Sequence, residues 1–161
     1  MKPRKMYIDV DGVLVVWDET HSCIELARGF GRLMRFCLLH EIEPYWLSLW
    51  DPEYLEGLGR LIWGLCDTMA RPTVLAAERG GKARAIDYES DFVWIEDGLH
   101  PEDEAHLRER GALDRFFATD GCDPDALLKF MEFTTQRLGL PEIRDWHADF
   151  DPPVGPGDKP I

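Results

Sequence analysis

Short apolar runs alternate with stretches of helical spacing along almost all of this 161-residue chain, and that alternation restricts it to one class of architecture. MYIDVDGVLVV, EPYWLSLW, TVLAA, DFVWIED and LDRFFATD read as strands, and the apolar centre Phe92 to Ile95 suits a strand buried on both faces. Between the first two, Cys23, Ala27, Phe30, Met34, Cys37 and Leu38 share one face of a helix from about Cys23 to Leu39. Tyr54, Leu55, Leu58, Leu61, Ile62, Leu65, Cys66 and Met69 mark a second helix, followed by a brief one over 81–87 and a charged one from Pro101 to Arg110. A last helix is predicted to start at Asp123-Pro124, as N-cap and first helical residue, and to stop at Gly139. Strands alternating with helices imply an α/β, Rossmann-like three-layer sandwich around a mainly parallel five-stranded sheet. Ligands of such sheets sit at the carboxyl ends of the strands.

The length suits one domain, expected over residues 1–150, with the Pro- and Gly-rich 151–161 as a tail without fixed structure. Asp9 and Asp11 interrupt what would be the apolar region of a signal peptide, and no apolar run reaches the length of a membrane span. Cys23, Cys37, Cys66 and Cys122 are scattered without a C-x-x-C pair, which argues against structural zinc and a dense disulfide framework. A cytoplasmic protein is therefore expected. The net charge of -13 opposes broad binding to nucleic acid or to an anionic membrane surface. It permits a phosphorylated substrate only where a cation and local basic groups reverse the field, and it equally suits an acidic binding protein with a basic partner.

The first apolar run carries Asp9 and Asp11 two residues apart, with Gly12 directly after. Residues i and i+2 of a strand face one side, so the two carboxylates would project together, a geometry that suits a bound cation and a covalent nucleophile. Asp-Gly between β-prone runs is also the commonest hairpin signal, and this stretch alone does not separate the readings. Other polar residues gather at strand ends in the same scheme: Ser48 near the end of the second strand, Lys82 before the fourth, Glu96 and Asp97 at its close. Singly, each has an ordinary explanation as a small residue, a solvated lysine or a polar turn. Jointly, their order points to a site.

These residues resemble the four motifs of the haloacid dehalogenase superfamily of phosphatases and phosphotransferases. YIDVDGVL matches the D-x-D-G-[TV]-L motif, YWLSLW the strand ending in Ser or Thr, Lys82 the lone lysine, and VWIEDG the acidic pair. WLSLW and VWIED further resemble small bacterial members of the family. The resemblance implies a Mg²⁺-dependent phosphohydrolase with Asp9 as nucleophile forming an aspartyl-phosphate and Asp11 as general acid and base. It implies Ser48 and Lys82 as catalytic and substrate-binding groups on the phosphoryl oxygens, with Gly12 beside them. For Mg²⁺ it implies Asp9, the Asp11 backbone carbonyl, Asp97 and Glu96, leaving open which of the last two is the direct ligand.

Superfamily caps are inserted after the first motif or between the third strand and the lysine. Here those intervals hold only a short flap and a helix, or a helix and a strand, so no cap domain is expected. Capless members tend to take macromolecular or extended substrates or to be covered by another subunit. A metabolite, a phosphoprotein, a nucleic-acid end and a homo-oligomer all remain open. The rival from another class is a catalytically silent, acidic binding protein of the same fold, regulatory or toxin-neutralising. Trp17 and His21 fall where a flap would lie, Arg79 and Arg84 flank Lys82, and Trp46, Trp50, Trp63 and Trp94 are assigned to the core.

Overall fold

The computed structural model describes residues 2–18, 23–63 and 72–141. In chain order the elements are β1 (Arg4–Ile8), β2 (Val15–Asp18), β3 (Cys23–Leu26), α1 (Phe30–Leu39), β4 (Ile42–Ser48), α2 (Pro52–Trp63), β5 (Thr73–Ala76), β6 (Asp91–Glu96), α3 (Pro101–Glu109), β7 (Phe116–Ala118) and α4 (Ala126–Leu138). Single 3₁₀ turns at Lys82–Ala85 and Leu113–Arg115 precede β6 and β7. Five strands form one sheet in the order β5-β4-β1-β6-β7, with every neighbouring pair parallel. This is the expected Rossmann-like α/β sandwich. The strand order runs outward from β1 to β5 and then returns to β6, so the crevice between β1 and β6 is the switch point at which such sheets bind ligands.

Alternation along the strands divides the core into two layers. Met6, Ile8, Ile42, Trp46, Val93 and Ile95 face the layer filled by Phe30, Leu33, Met34, Leu55, Leu127, Phe130 and Met131 from α1, α2 and α4. Tyr7, Leu47, Phe92 and Trp94 face the other layer, against Ala83, Ile86 and Leu107 of the first 3₁₀ turn and α3. Pro101 opens α3 with its missing N–H at no cost, and the His100 ring accepts from the Glu102 N–H as its cap. α4 ends at Gly139, whose φ of 59° is the left-handed stop that glycine permits.

Three expectations are corrected. The chain from Cys23 to Leu26 pairs as β3 with β2 in an antiparallel hairpin, and α1 starts only at Phe30, because Gly29 at φ 87° breaks helical continuity there. Ala27 and Phe30 meet the helical and the flap pattern alike, so periodicity overran the boundary. α4 starts at Ala126 with Asp125 in the cap position, since Asp123 and Pro124 are taken up in a turn whose Asp123 carboxylate accepts from the Asp125 N–H. Asp9 and Asp11 lie beyond the end of β1 and not within it. Asp11-Gly12 is not the turn of a hairpin, because β1 pairs in parallel with β4 and β6; after Gly12 the chain leads into the β2–β3 flap.

The expected 151–161 tail, His21, Cys66 and Met69 fall outside the described residues. The described residues between the first motif and Lys82 form the flap, α1, β4, α2 and β5, with no cap domain among them. No helix of the described residues is long and apolar enough to cross a membrane.

Candidate active site

Strand register brings the distant acids and the lysine together. Tyr7 pairs with Trp94 and Ile8 with Ile95, and the Asp9 N–H donates to the Ile95 carbonyl at 3.1 Å, so Asp9 and Glu96 come next in line. Asp9 continues the alternation of Tyr7 and Glu96 that of Trp94, which puts both carboxylates on the face where the first 3₁₀ turn lies. That turn delivers Lys82. Its Nζ donates to Asp9 Oδ1 at 2.8 Å and to Glu96 Oε1 and Oε2 at 2.9 and 2.8 Å.

All three side chains are buried, with Lys82 at 6 %, Asp9 at 4 % and Glu96 at 5 % exposure, so this is a desolvated cluster and not a surface pair. Burial works to lower the Lys82 pKa, but the Asp9 and Glu96 carboxylates outweigh it and hold the ammonium above the ordinary lysine value. Burial and the charge of Asp9 push Glu96 up, to about 8, against the pull of Lys82. Burial and the nearby Asp9 and Asp11 raise Asp97 as well. One ammonium faces several carboxylates, and the excess negative charge invites a cation.

Carboxylate oxygens of Asp9, Glu96 and Asp97 all lie within 4.8 Å of one another. Donors around one octahedral Mg²⁺ span about 4 Å, and hard carboxylate oxygens are the ligands that ion takes, so these residues fit it. A β-carbon on Gly12 would lie 2.2 Å from Asp97 Oδ2, so the absence of that carbon is what lets the Asp97 carboxylate approach the loop after β1. Asp97 has no ion-pair partner among the described residues, whereas Glu96 is held twice by Lys82. The side chain of Asp11 is exposed and stands outside this three-carboxylate group.

Ser48, 1 % exposed, ends β4 on the other side of β1, and its Oγ accepts from the Trp50 N–H at 3.2 Å. That bond uses an acceptor site and leaves the hydroxyl proton to donate. The Val10 carbonyl takes the N–H groups of both Leu14 and Val15, which tightens the loop carrying Asp11 and Gly12 and launches the flap. Gly121, at φ 71° beyond β7, packs over Gly12 and closes the loop from outside.

Two contributors were not legible in the motifs. Asp103 of α3, 2 % exposed, accepts from the Ala83 N–H at 2.8 Å and so fixes the turn that carries Lys82. A cleft of about 340 Å³ opens beside Lys82 and Glu96, walled by Leu49, Arg79, Trp94, Leu99 and His100. Of the residues that flank Lys82, Arg79 lines this cleft and Arg84 does not. Trp46 and Trp94 are core residues, Trp50 is half-buried, and the side chains of Trp17 and Trp63 lie outside the described residues.

No protein-family model matches the chain, and no curated protein matches it. Among solved structures the chain is similar to one from Vibrio cholerae assigned as a 3-deoxy-D-manno-octulosonate 8-phosphate phosphatase, at 13% sequence identity and a TM-score of 0.49, over 88% of each chain.

Proposed function

We propose that the chain is a Mg²⁺-dependent phosphohydrolase that works through an aspartyl-phosphate on Asp9. The observation that carries this reading is the convergence of Asp9, Lys82 and Glu96 in one buried hydrogen-bonded cluster with Asp97 beside it, at the switch point of a parallel sheet. The four-motif resemblance supplies the roles.

In the first half-reaction an Asp9 carboxylate oxygen bonds to phosphorus while the bond to the leaving oxygen breaks, and Asp11 gives that oxygen its proton. In the second, water attacks phosphorus, Asp11 takes the water's proton, and the bond between Asp9 and phosphorus breaks to release phosphate. The Ser48 hydroxyl donates to a phosphoryl oxygen. Lys82 holds Asp9 by one oxygen and offsets the charge that gathers on the transferred group. Asp9, Asp97 and the Asp11 carbonyl would hold Mg²⁺, which when bound neutralises phosphoryl charge; Glu96, engaged with Lys82, serves as the lysine's anchor.

Hydrolysis of an aryl phosphate in Mg²⁺ tests the proposal. It is expected to vanish in Asp9→Asn and in EDTA, and beryllium fluoride with Mg²⁺ is expected to bind the wild type but not Asp9→Asn. Turnover that survives both the substitution and the chelator would overturn it. Beryllium fluoride failing to bind a chain that also shows no turnover would leave the acidic binding protein in its place.

A further inference from the structure

The 3₁₀ turn that carries Lys82 is poorly held by its own backbone. Within it the Arg84 N–H reaches the Gly81 carbonyl at 3.2 Å and the Ile86 N–H reaches the Ala83 carbonyl at 3.4 Å, the long bonds expected of a single turn of this kind. Lys82 Nζ nevertheless meets three carboxylate oxygens within 2.9 Å. Its backbone has to be fixed from outside the turn.

We infer that Tyr88 is a positioning residue for the reaction: together with Asp103 it clamps the backbone of Ala83 and so holds Lys82 against Asp9 and Glu96. The inference rests on the phosphohydrolase reading and extends it to the group that sets the lysine in place.

The clamp closes on both polar atoms of Ala83. The Tyr88 hydroxyl donates to the Ala83 carbonyl at 2.9 Å, and the Asp103 carboxylate accepts from the Ala83 N–H at 2.8 Å. Each of these bonds is shorter than either bond within the turn, so the two side chains set the backbone next to Lys82. Burial pushes the Tyr88 phenol up to about 12, and the hydroxyl keeps the proton it donates.

Tyr88 is itself braced on two sides. Its ring meets Phe92 of β6 edge-on at 5.4 Å and His106 of α3 at 5.6 Å, and the Arg110 guanidinium lies 5.3 Å over it. Phe92 stands on the strand that ends in Glu96. A closed path therefore runs from β6 through Phe92 and Tyr88 to Ala83 and Lys82, and returns to β6 through the bonds from Lys82 to Glu96. The ammonium and its acceptor are thus referred to one strand, which gives the lysine the fixed geometry that a group acting on a transferred phosphoryl needs.

Tyr88→Phe keeps the ring and removes the hydroxyl. With an aryl phosphate in Mg²⁺, kcat is expected to fall at least about fivefold, the worth of one neutral hydrogen bond, with KM little changed. Thr134→Val, which removes a buried hydroxyl bonded to the Phe130 carbonyl within α4, is the control for lost stability and is expected to keep kcat. A kcat that Tyr88→Phe leaves unchanged, or that falls equally in both variants, overturns the positioning role.

Amide hydrogen exchange separates the two readings, since it needs no turnover. The Ala83 N–H, bonded to the buried Asp103, is expected to be protected in the wild type and to exchange at least about fivefold faster in Tyr88→Phe, measured relative to the β6 amides. A gain of that size in a chain that hydrolyses no ester would uphold the clamp and refute the phosphohydrolase. An Ala83 N–H that exchanges freely in the wild type, or that gains nothing over β6 in the variant, overturns the clamp whatever the chain hydrolyses.

Discussion

Gly12 and Asp97 occupy each other's space: with φ at 73°, a β-carbon on Gly12 would stand 2.2 Å from Asp97 Oδ2. The left-handed backbone disfavours an alanine, and its β-carbon would have to displace the Asp97 carboxylate. Gly12→Ala is expected to cost about 1–2 kcal/mol through the backbone alone, and to push Asp97 away from Asp9. Urea unfolding measures the first effect. A Mg²⁺ titration of the hydrolytic rate measures the second, with half-activation expected to move to at least about tenfold higher metal, as for lost support around a metal ligand. An unchanged Mg²⁺ dependence would remove Asp97 from the proposed metal site.

Lys82 and Glu96 form a buried pair whose members are not equivalent to lose. Lys82→Met leaves two buried carboxylates without their ammonium and is expected to destabilise the chain by about 3 kcal/mol in EDTA. At alkaline pH, above the value of about 8 to which burial and Asp9 push Glu96, adding Glu96→Gln removes one of the stranded charges, so the double variant is expected to regain at least about 1 kcal/mol while still failing to hydrolyse ester. Stability that stays at the single-variant level would mean that Glu96 carries no charge in the folded chain.

Asp103 acts on the site through the backbone of Ala83. Asp103→Asn keeps an acceptor oxygen and is expected to retain most of the rate. Asp103→Leu strands a buried N–H at a cost of about 1–3 kcal/mol and loosens the turn beside Lys82. Its signature is a fall in kcat with little change in KM. Equal losses in Asn and Leu would assign the role to the charge instead of the hydrogen bond.

His40 predicts a pH dependence away from the site. Burial, with the charge of Arg4 beside it, holds its imidazole below the ordinary histidine value. The unfolded chain therefore binds the proton more readily. The contribution of the neutral ring is complete above the unfolded value of about 6.5 and is lost as the pH falls below it toward the folded value. Urea midpoints at about pH 7.5 and 5.5 should lie closer together in His40→Gln than in the wild type. An equal separation would show that His40 does not report on folding.

Local pattern made much of this architecture readable. Unbroken apolar centres such as VWI and YWL, short and rich in aromatic and β-branched residues, read as buried strands, and Pro101 and Gly139 punctuate the helices. The start of α1 was not readable, because flap and helix share apolar residues from Cys23 onward and only the positive φ of Gly29 separates them. Asp123-Pro124 carries a helix-start signature, but the turn it forms delays α4 to Ala126.

For the site, the sequence by itself determined which residues were candidates: Asp9, Asp11 and Gly12 by their spacing, then Ser48, Lys82, Glu96 and Asp97 by their order at strand ends. Only the tertiary structure decided which of them touch. Lys82 is 73 residues from Asp9 and 14 from Glu96, and no local rule states that its single ammonium is shared between them. That follows from the parallel register of β1 and β6, which sets the two carboxylates side by side and frees Asp97 to approach Gly12. Periodicity reports which face of an element is buried, but hydrogen-bond partners are fixed by which elements the sheet makes neighbours.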